Sequence, residues 1–127
     1  MYTWEFVGEA TSDCGQEGPN VFALGGKYWL IADVWKGLAV YSSDDLTHFT
    51  RQKSDILVEP GTREQDNAKG HHADVLVAGD RAFIVYFTHP ANTEHTRSSV
   101  QMAELKVENG VLVCDRNAEF DADWSKA

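Results

Sequence analysis

The chain has 127 residues, 43% of them hydrophobic, with 20 acidic and 11 basic side chains and a net charge of −9. This length fits one domain, and so apolar a composition with four tryptophans excludes a disordered chain. The acidic excess argues against nucleic acid or an anionic membrane as a partner, because those surfaces would repel the molecule.

The first predicted unit is a group of short strands that starts near residue 17. Before it, residues 2–8 alternate aromatic and polar side chains, which predicts a half-exposed strand without a partner, followed by a polar loop. Four strands are then predicted over residues 21–24, 28–34, 37–43 and 47–52. Gly25-Gly26 supplies the first hairpin turn, aspartates supply the last, and Phe49 is the predicted inward anchor of the fourth strand.

The second predicted unit follows a polar connection. Its strands are predicted over residues 74–77, 82–88, 100–107 and 111–114, with a polar excursion from 89 to 98. Asn109-Gly110 is the strongest hairpin signal in the chain. A tail with two aromatic residues, Phe120 and Trp124, follows, and no segment has a convincing helical pattern.

The two units repeat each other at a spacing of 54 residues (71 − 17 = 54). Residues 17–31 read EGPNVFALGGKYWLI and residues 71–85 read HHADVLVAGDRAFIV, each with a strand, a turn, a basic residue and an aromatic strand. A strand repeat of about 50 residues is typical of β-propeller blades, each a four-stranded antiparallel sheet. The prediction is an all-β chain of about two blades.

The predicted organisation assigns every part of the chain to this partial propeller. It comprises the last strand of a preceding blade and a loop (1–16), a first full blade (17–58), a connecting loop (59–70), a second full blade (71–116) and a tail (117–127). A closed propeller needs at least four blades. We therefore expect either missing N-terminal blades or a homo-oligomer that completes the ring.

The cysteines and the absence of a leader bear on the compartment. Cys14 and Cys114 have neither metal-ligand nor redox spacing, and two free thiols are favoured over a disulfide, as in a reducing compartment. The chain shows no apolar span and no secretory leader, which predicts a cytoplasmic protein unless an upstream segment directs it elsewhere.

The first residue of each repeat is a candidate functional residue. In a propeller the inner strands begin around one central pocket, so Glu17 and His71 are expected to face the same cavity. Because side chains alternate along a strand, His71 and His72 are expected to point to opposite sides and not to bind one ion together. His71 is then a pocket residue that orients water or a loop histidine, and His72 has a structural role.

The turns that follow the second strand of each unit return to the same rim. They carry Trp35, which either stacks on a sugar ring or covers the blade edge, and His89 with Arg97. The long connecting loop adds Arg63, although charged loop residues are more often simply solvated. These four residues are the candidate substrate contacts.

Three short motifs, taken in order, resemble glycoside hydrolase family 43 and its five-bladed relatives. EGP at residues 17–19, leading into FALGGKYWL at 22–30, resembles the blade that carries the general acid. GHHADV at residues 70–75, followed by AFIVY at 82–86, resembles the last blade with its Gly-His motif. VYSSDDLTHF at residues 40–49 is similar to the outer hairpin of these propellers. The resemblance makes the chain the last two of five blades.

The resemblance implies an inverting glycosidase that acts on poly- or oligosaccharides. Glu17 matches the general acid, which protonates the departing oxygen while a second carboxylate activates water. His71 matches a histidine that faces an ion, often calcium, through water in the central channel. The family's base lies on an earlier blade, so this chain alone is expected to be inactive.

A second function remains open from the residues. Because the base is missing, the alternative is a non-catalytic carbohydrate-binding or assembly module built as a half-propeller. No nucleophile elbow, phosphate-binding loop, dinucleotide fingerprint or calcium hand occurs in the sequence.

Overall fold

The computed structural model describes residues 3–91 and 97–121 of the chain. The first sheet contains four antiparallel strands in sequence order: β1 (Glu17–Leu24), β2 (Lys27–Asp33), β3 (Leu38–Ser43) and β4 (Thr50–Arg51). The second sheet has the same order: β5 (His71–Ala78), β6 (Arg81–Thr88), β7 (Ser99–Glu108) and β8 (Val111–Cys114). One 3₁₀ turn, Glu64–Asp66, is the only helical element among the described residues. The all-β prediction of two four-stranded antiparallel blades is confirmed.

The two inner strands are longer than predicted, since β1 and β5 begin at the first residue of each repeat. Each strand contains a β-bulge near its start, between Glu17 and Asn20 in β1 and between His71 and Ala73 in β5. A bulge inserts one unpaired residue and turns the neighbouring side chains. The matching bulges therefore redirect the side chains at the corresponding rim positions of both sheets.

β4 is shorter than the predicted fourth strand because a side-chain-capped turn replaces its beginning. Asp45 Oδ1 accepts hydrogen bonds from the backbone N–H groups of Thr47 and His48, at 2.9 and 2.8 Å. Ser43 Oγ accepts another from Leu46. The predicted aspartate-capped turn is thus present, and it consumes the first three residues assigned to the strand.

The main hydrophobic core lies between the two sheets. Trp29 is fully buried, and its indole N–H donates to the carbonyl of Leu24 at 2.9 Å. The side chains that form this core are Phe22, Leu24, Trp29, Ile31, Leu38, Val40, Ile56, Leu57, Ala82, Ile84, Tyr86, Ala103, Leu105 and Leu112. The repeat is also visible in the contacts, because Asn20 Nδ2 donates to Asp74 Oδ1, 54 residues later, at 2.6 Å. The equivalent inner strands β1 and β5 therefore face each other.

The strand predicted over residues 2–8 is not formed by its described part. Residues 3–8 have no strand hydrogen bonding, and Trp4, Phe6 and Val7 are each about 85% exposed. No described strand lies beside them, and an isolated extended segment has no partner for its backbone groups. Tyr2, at the start of that prediction, lies outside the described residues.

The loop before β1 returns to the outer face of the first sheet. Asp13 accepts hydrogen bonds from the Tyr41 hydroxyl and from Arg51, both at 2.7 Å. Phe49 packs on the same face, against a small cluster of Leu30, Ala32, Ala39 and Tyr41. The first sheet is thus covered on both faces, and Phe49 is an anchor on the face opposite the main core.

The tail is described only as far as residue 121. Within that part, Phe120 contacts Phe83, with ring centroids 5.6 Å apart. Trp124, the other aromatic residue of the tail, lies outside the described residues. Among the residues that are described, no helix is long and apolar enough to cross a bilayer.

Candidate functional site

Glu17 lies at the rim where β1 begins, directly opposite Asp33 at the end of β2. Its Oε1 accepts a hydrogen bond from the indole N–H of Trp35 at 3.1 Å. The Glu17 side chain is 47% exposed. Its carboxylate is open to a ligand on one side.

Asp33 lies at the centre of this rim. Its side chain is 1% exposed. Oδ1 accepts the backbone N–H of Trp35 at 2.7 Å, and Oδ2 accepts the backbone N–H of His72 at 3.1 Å. His71 Nδ1 lies 3.2 Å from the same Oδ2. One buried carboxylate thus connects the turn after β2 with the start of β5.

The charged form of Asp33 is favoured despite its burial. Desolvation acts to raise the pKa of this carboxyl group. The backbone hydrogen bonds from His72 and Trp35, together with the charge of His71, outweigh that effect and lower the pKa below its ordinary value. The sequence does contain a signal for this residue, because Asp33 is an acidic side chain that directly follows the apolar residues of β2.

His71 and His72 face the same side, which corrects the expectation that they diverge. His72 Nδ1 lies 3.3 Å from Asp33 Oδ2, close to the 3.2 Å of His71 Nδ1. The expectation rested on strict alternation, and the bulge between His71 and Ala73 breaks it. The other nitrogen of His72, Nε2, lies 3.9 Å from Glu17 Oε1, so His72 is the histidine beside the candidate acid.

An aromatic wall supports the histidines. Phe87, the residue opposite His71 on β6, stacks on His71 with centroids 5.5 Å apart and on His72 with centroids 6.0 Å apart. His89 lies 5.5 Å from His71 and 5.3 Å from Phe87, again between ring centroids. The structure thus places His89 beside His71. It also adds Phe87, which alternation along β6 after the aromatic Phe83 would have indicated.

Trp35 adopts a strained backbone at the same rim. Its φ is 60°, in the left-handed region that bulky residues rarely occupy, and its side chain is 51% exposed. Lys69 Nζ lies 3.4 Å from the Trp35 carbonyl oxygen. The hydrogen bonds to Glu17 and Asp33 hold this conformation, and strain of this kind is frequent at functional sites. The indole is thus oriented by the candidate acid.

The two arginines differ in placement from the other candidates. Arg63 Nη2 binds Asp66 Oδ2 at 3.0 Å and the carbonyl of Arg116 at 2.8 Å, which ties it to the loop over the second sheet. Arg97 meets the site through its backbone carbonyl, 3.4 Å from His89 Nδ1. Neither contact brings a guanidinium group to the carboxylates of Glu17 and Asp33.

Three side chains at the rim are of types that bind metal ions. One oxygen each of Glu17 and Asp33 and one nitrogen of His72 lie within 4.8 Å of one another. Calcium takes six to eight oxygen ligands in proteins.

Comparison with known proteins identifies the fold. No protein-family model and no curated protein matches the chain. Among solved structures, the chain is similar to a thermostable family-43 glycoside hydrolase, with 21% identity, a TM-score of 0.63, and 82% of this chain aligned with 37% of that one.

Two further solved structures give the same picture. An alpha-L-arabinanase of Cellvibrio cellulosa complexed with arabinohexaose aligns with a TM-score of 0.62, 16% identity, 79% of this chain and 36% of its own. An endo-1,4-beta-xylanase from Bacteroides thetaiotaomicron aligns with a TM-score of 0.61, 17% identity, 80% of this chain and 38% of its own. The chain thus spans just over a third of the length of these structures. It consists of two β-propeller blades with the fold of family-43-like glycoside hydrolases.

Proposed function

We propose that this chain supplies two blades and the general acid to a glycoside hydrolase that cleaves poly- or oligosaccharides with inversion. The observation that supports this most is the position of Glu17, half exposed at the head of inner strand β1. The Trp35 indole donates to Glu17, and His72 beside it stacks on Phe87, which also contacts His89. Such ring surfaces are of the kind that complement sugars.

The proposed step is proton transfer from the carboxylic acid of Glu17 to the departing glycosidic oxygen. A second carboxylate then activates water on the other face of the sugar, and in inverting enzymes it lies about 6.5–9.5 Å from the acid. Asp33 does not suit that task, since a carboxylate oxygen lies within 4.8 Å of Glu17 and its side chain is 1% exposed. We expect the base on a blade outside the described residues, and the chain alone to be inactive.

The remaining proposed roles concern binding. Trp35, His89 and Arg97 would contact the sugar, with Arg63 further out on the loop. A calcium ion would be held at the channel by His71 through bound water, where it would organise water near the acid. His71 fits that role because its Nδ1 faces Asp33, which fixes the ring.

The test replaces Glu17 in the complete polypeptide that carries these residues. Glu17→Gln is expected to lower turnover of glycosides with poor leaving groups by about 10²–10⁴-fold, because general acid catalysis is lost. Glycosides with an activated aryl leaving group should lose far less. Initial rates on arabinosides, xylosides and galactosides of both kinds would measure this.

The matched control is Glu9→Gln, an exposed glutamate in the loop before β1. It should leave both rates unchanged. Equal turnover of poor leaving groups by Glu17→Gln and the unsubstituted protein would contradict the assignment.

The alternative is a non-catalytic carbohydrate-binding or assembly module. The full engagement of Asp33 favours it, because the carboxylate nearest to Glu17 has four nitrogen neighbours and is inaccessible to a substrate. For a binding module, oligosaccharides should quench tryptophan fluorescence through Trp35, without turnover in any assembly. Trp35→Phe should abolish the quenching, whereas Trp4→Phe should not.

A further inference from the structure

We propose that Glu17, Asp33 and His72 form a binding site for a divalent transition-metal ion, with Zn²⁺ as the best fit. The three ligand atoms lie within 4.8 Å of one another. They come from β1, β2 and β5, so the site joins the two blades. The inference goes beyond glycoside hydrolysis, and it differs from the calcium expected at His71 in both its ligands and its ion.

The charge at this rim is uncompensated. Two carboxylates approach each other closely, yet among the described residues no lysine or arginine lies within ion-pair distance of either. Among the described residues, the ionisable side chains beside them are the imidazoles of His71 and His72. A divalent cation would offset both negative charges, and the chain's net charge of −9 favours its approach.

The ligand set selects the class of ion. One imidazole nitrogen with two carboxylate oxygens suits Zn²⁺ and its neighbours, which accept mixed nitrogen and oxygen ligands. Calcium and magnesium prefer oxygen alone. The half-exposed side of the cluster leaves room for water or a substrate atom as a fourth ligand.

The imidazole of His72 is already oriented. Phe87 stacks on it at an interplanar angle of 13°, and the backbone of Gly18 lies so close that a Cβ there would overlap the ring. His71 supports the neighbouring ligand, because its Nδ1 lies 3.2 Å from Asp33 Oδ2. Residues that contact the ligands, and not the ion itself, hold metal ligands in a fixed orientation.

The Asp33–His72 distance already fits a metal ion, whereas Glu17 has to move. Bonds of about 2.0–2.2 Å in a tetrahedral zinc site place ligand atoms about 3.4 Å apart. Asp33 Oδ2 and His72 Nδ1 are 3.3 Å apart, and Glu17 Oε1 is 3.9 Å from His72 Nε2. Since one ion uses one nitrogen, the exposed Glu17 side chain has to rotate towards the nitrogen that binds. A bound ion would exclude the proton from Glu17, so metal-bound and acid forms are mutually exclusive.

The experiment titrates the full chain with zinc chloride in an isothermal calorimeter, without any sugar. Cys14→Ser is used as background, so that the exposed thiol does not contribute. We expect one equivalent of Zn²⁺ to bind, Mn²⁺ to bind more weakly, and Ca²⁺ to bind weakest. His72→Gln and Glu17→Gln should each weaken zinc binding at least about 10-fold.

His48→Gln is the matched control, because His48 is an exposed histidine next to Asp45 and far along the chain from the site. It should change zinc affinity less than about twofold, because a residue outside the site does not couple to binding of the ion. Cobalt provides a second readout: its visible absorption should report nitrogen and oxygen ligands and vanish in His72→Gln. Absence of zinc binding, or equal binding by His72→Gln and His48→Gln, would overturn the site. Either result would leave the acid role of Glu17 untouched, because that role is measured by turnover.

Discussion

Asp33 and its neighbours determine the shape of the candidate site. This carboxylate is 1% exposed and binds backbone N–H groups of Trp35 and His72. Hydrogen bonds from main-chain donors to a charged acceptor are stronger than neutral ones. Asp33 therefore acts as a positioning residue, which holds Trp35 against Glu17 and holds the start of β5 against the first sheet.

Replacing Asp33 by Asn should lower the free energy of unfolding by about 1–3 kcal/mol at neutral pH, since buried donors lose a charged acceptor. The pKa of Asp33 is lower in the folded state than its ordinary value of 3.8. Its stabilising contribution is therefore complete above that value and is lost as the pH falls through the folded-state pKa. Urea unfolding measured from pH 2 to 6 should show a flatter acid limb for the variant.

Asp44→Asn is the control for that measurement, because Asp44 is 81% exposed in its pair with Lys27. The control should retain the acid limb of the unsubstituted chain. If Asp33→Asn retained it too, the buried carboxylate would not be the titrating group.

Gly18 is the residue that makes room for His72. Its φ of 55° lies in the left-handed region, and a side chain there would overlap the imidazole. Gly18→Ala should cost about 1–2 kcal/mol through the backbone alone. It should also displace His72, which would shift the imidazole resonances in an NMR spectrum. Gly26→Ala is the control, since Gly26 also has a positive φ, 78°, but open space around it. Unmoved His72 resonances in Gly18→Ala would contradict this packing.

Among the elements, the loop between the blades is fixed by a buried ion pair. Asp66 is fully buried and binds Arg116, and it also accepts the Tyr86 hydroxyl at 2.9 Å. Desolvation of the Arg116 guanidinium opposes its charge, but the bond to Asp66 outweighs it and raises the pKa of Arg116. The long connection is thus a structured element that covers the second sheet, which explains why Arg63 is held there.

Asp66→Asn should lower the free energy of unfolding by about 3–5 kcal/mol, because the buried guanidinium of Arg116 would lose its counter-charge. Denaturant unfolding at pH 7 measures this. Glu104→Gln, which breaks the more exposed pair with Arg81, is the control and should have a much smaller effect. Equal losses in the two variants would show that the Asp66 pair is no more than a surface contact.

The strands themselves were predictable from local patterns, and the bulges were not. Alternation and turn residues located β6 and β8 to within one residue, and Asn109-Gly110 forms the predicted hairpin with φ values of 52° and 78°. Alternation fails where an unpaired residue enters a strand, and the bulge at His71 is decided by pairing with β6. That is why His72, and not His71, lies beside Glu17.

For the whole molecule, the repeat at 54 residues was enough to predict two blades that share an axis. The site depends on contacts between the blades, such as Asp33 with His72, and no pattern within one segment reports those. The fold could thus be predicted from the sequence, whereas the contact of Asp33 with His72 could be found only from the three-dimensional structure.

The exposed apolar residues before β1 predict how the isolated chain behaves. Trp4, Phe6 and Val7 are each about 85% exposed, and they precede two blades that do not close a ring. Apolar patches of this kind are unusual on monomers. We expect the purified chain to self-associate, so that in size-exclusion chromatography with light scattering it elutes earlier than a 14.2 kDa monomer and has a larger measured mass.

Substituting all three of these residues by Ser should shift the chain towards the monomer and reduce binding of a hydrophobic dye, because the apolar area that a second copy would cover is removed. Leu46→Ser, which removes an apolar side chain that is 48% exposed in the turn before β4, should leave the association unchanged. A monodisperse monomer that binds no dye before any substitution would contradict the expectation, and it would imply that residues 3–7 are tolerated in water without a partner. If the Leu46 variant dissociated as completely as the triple variant, the association would be a general property of the apolar surface, and the segment before β1 would have no special part in it.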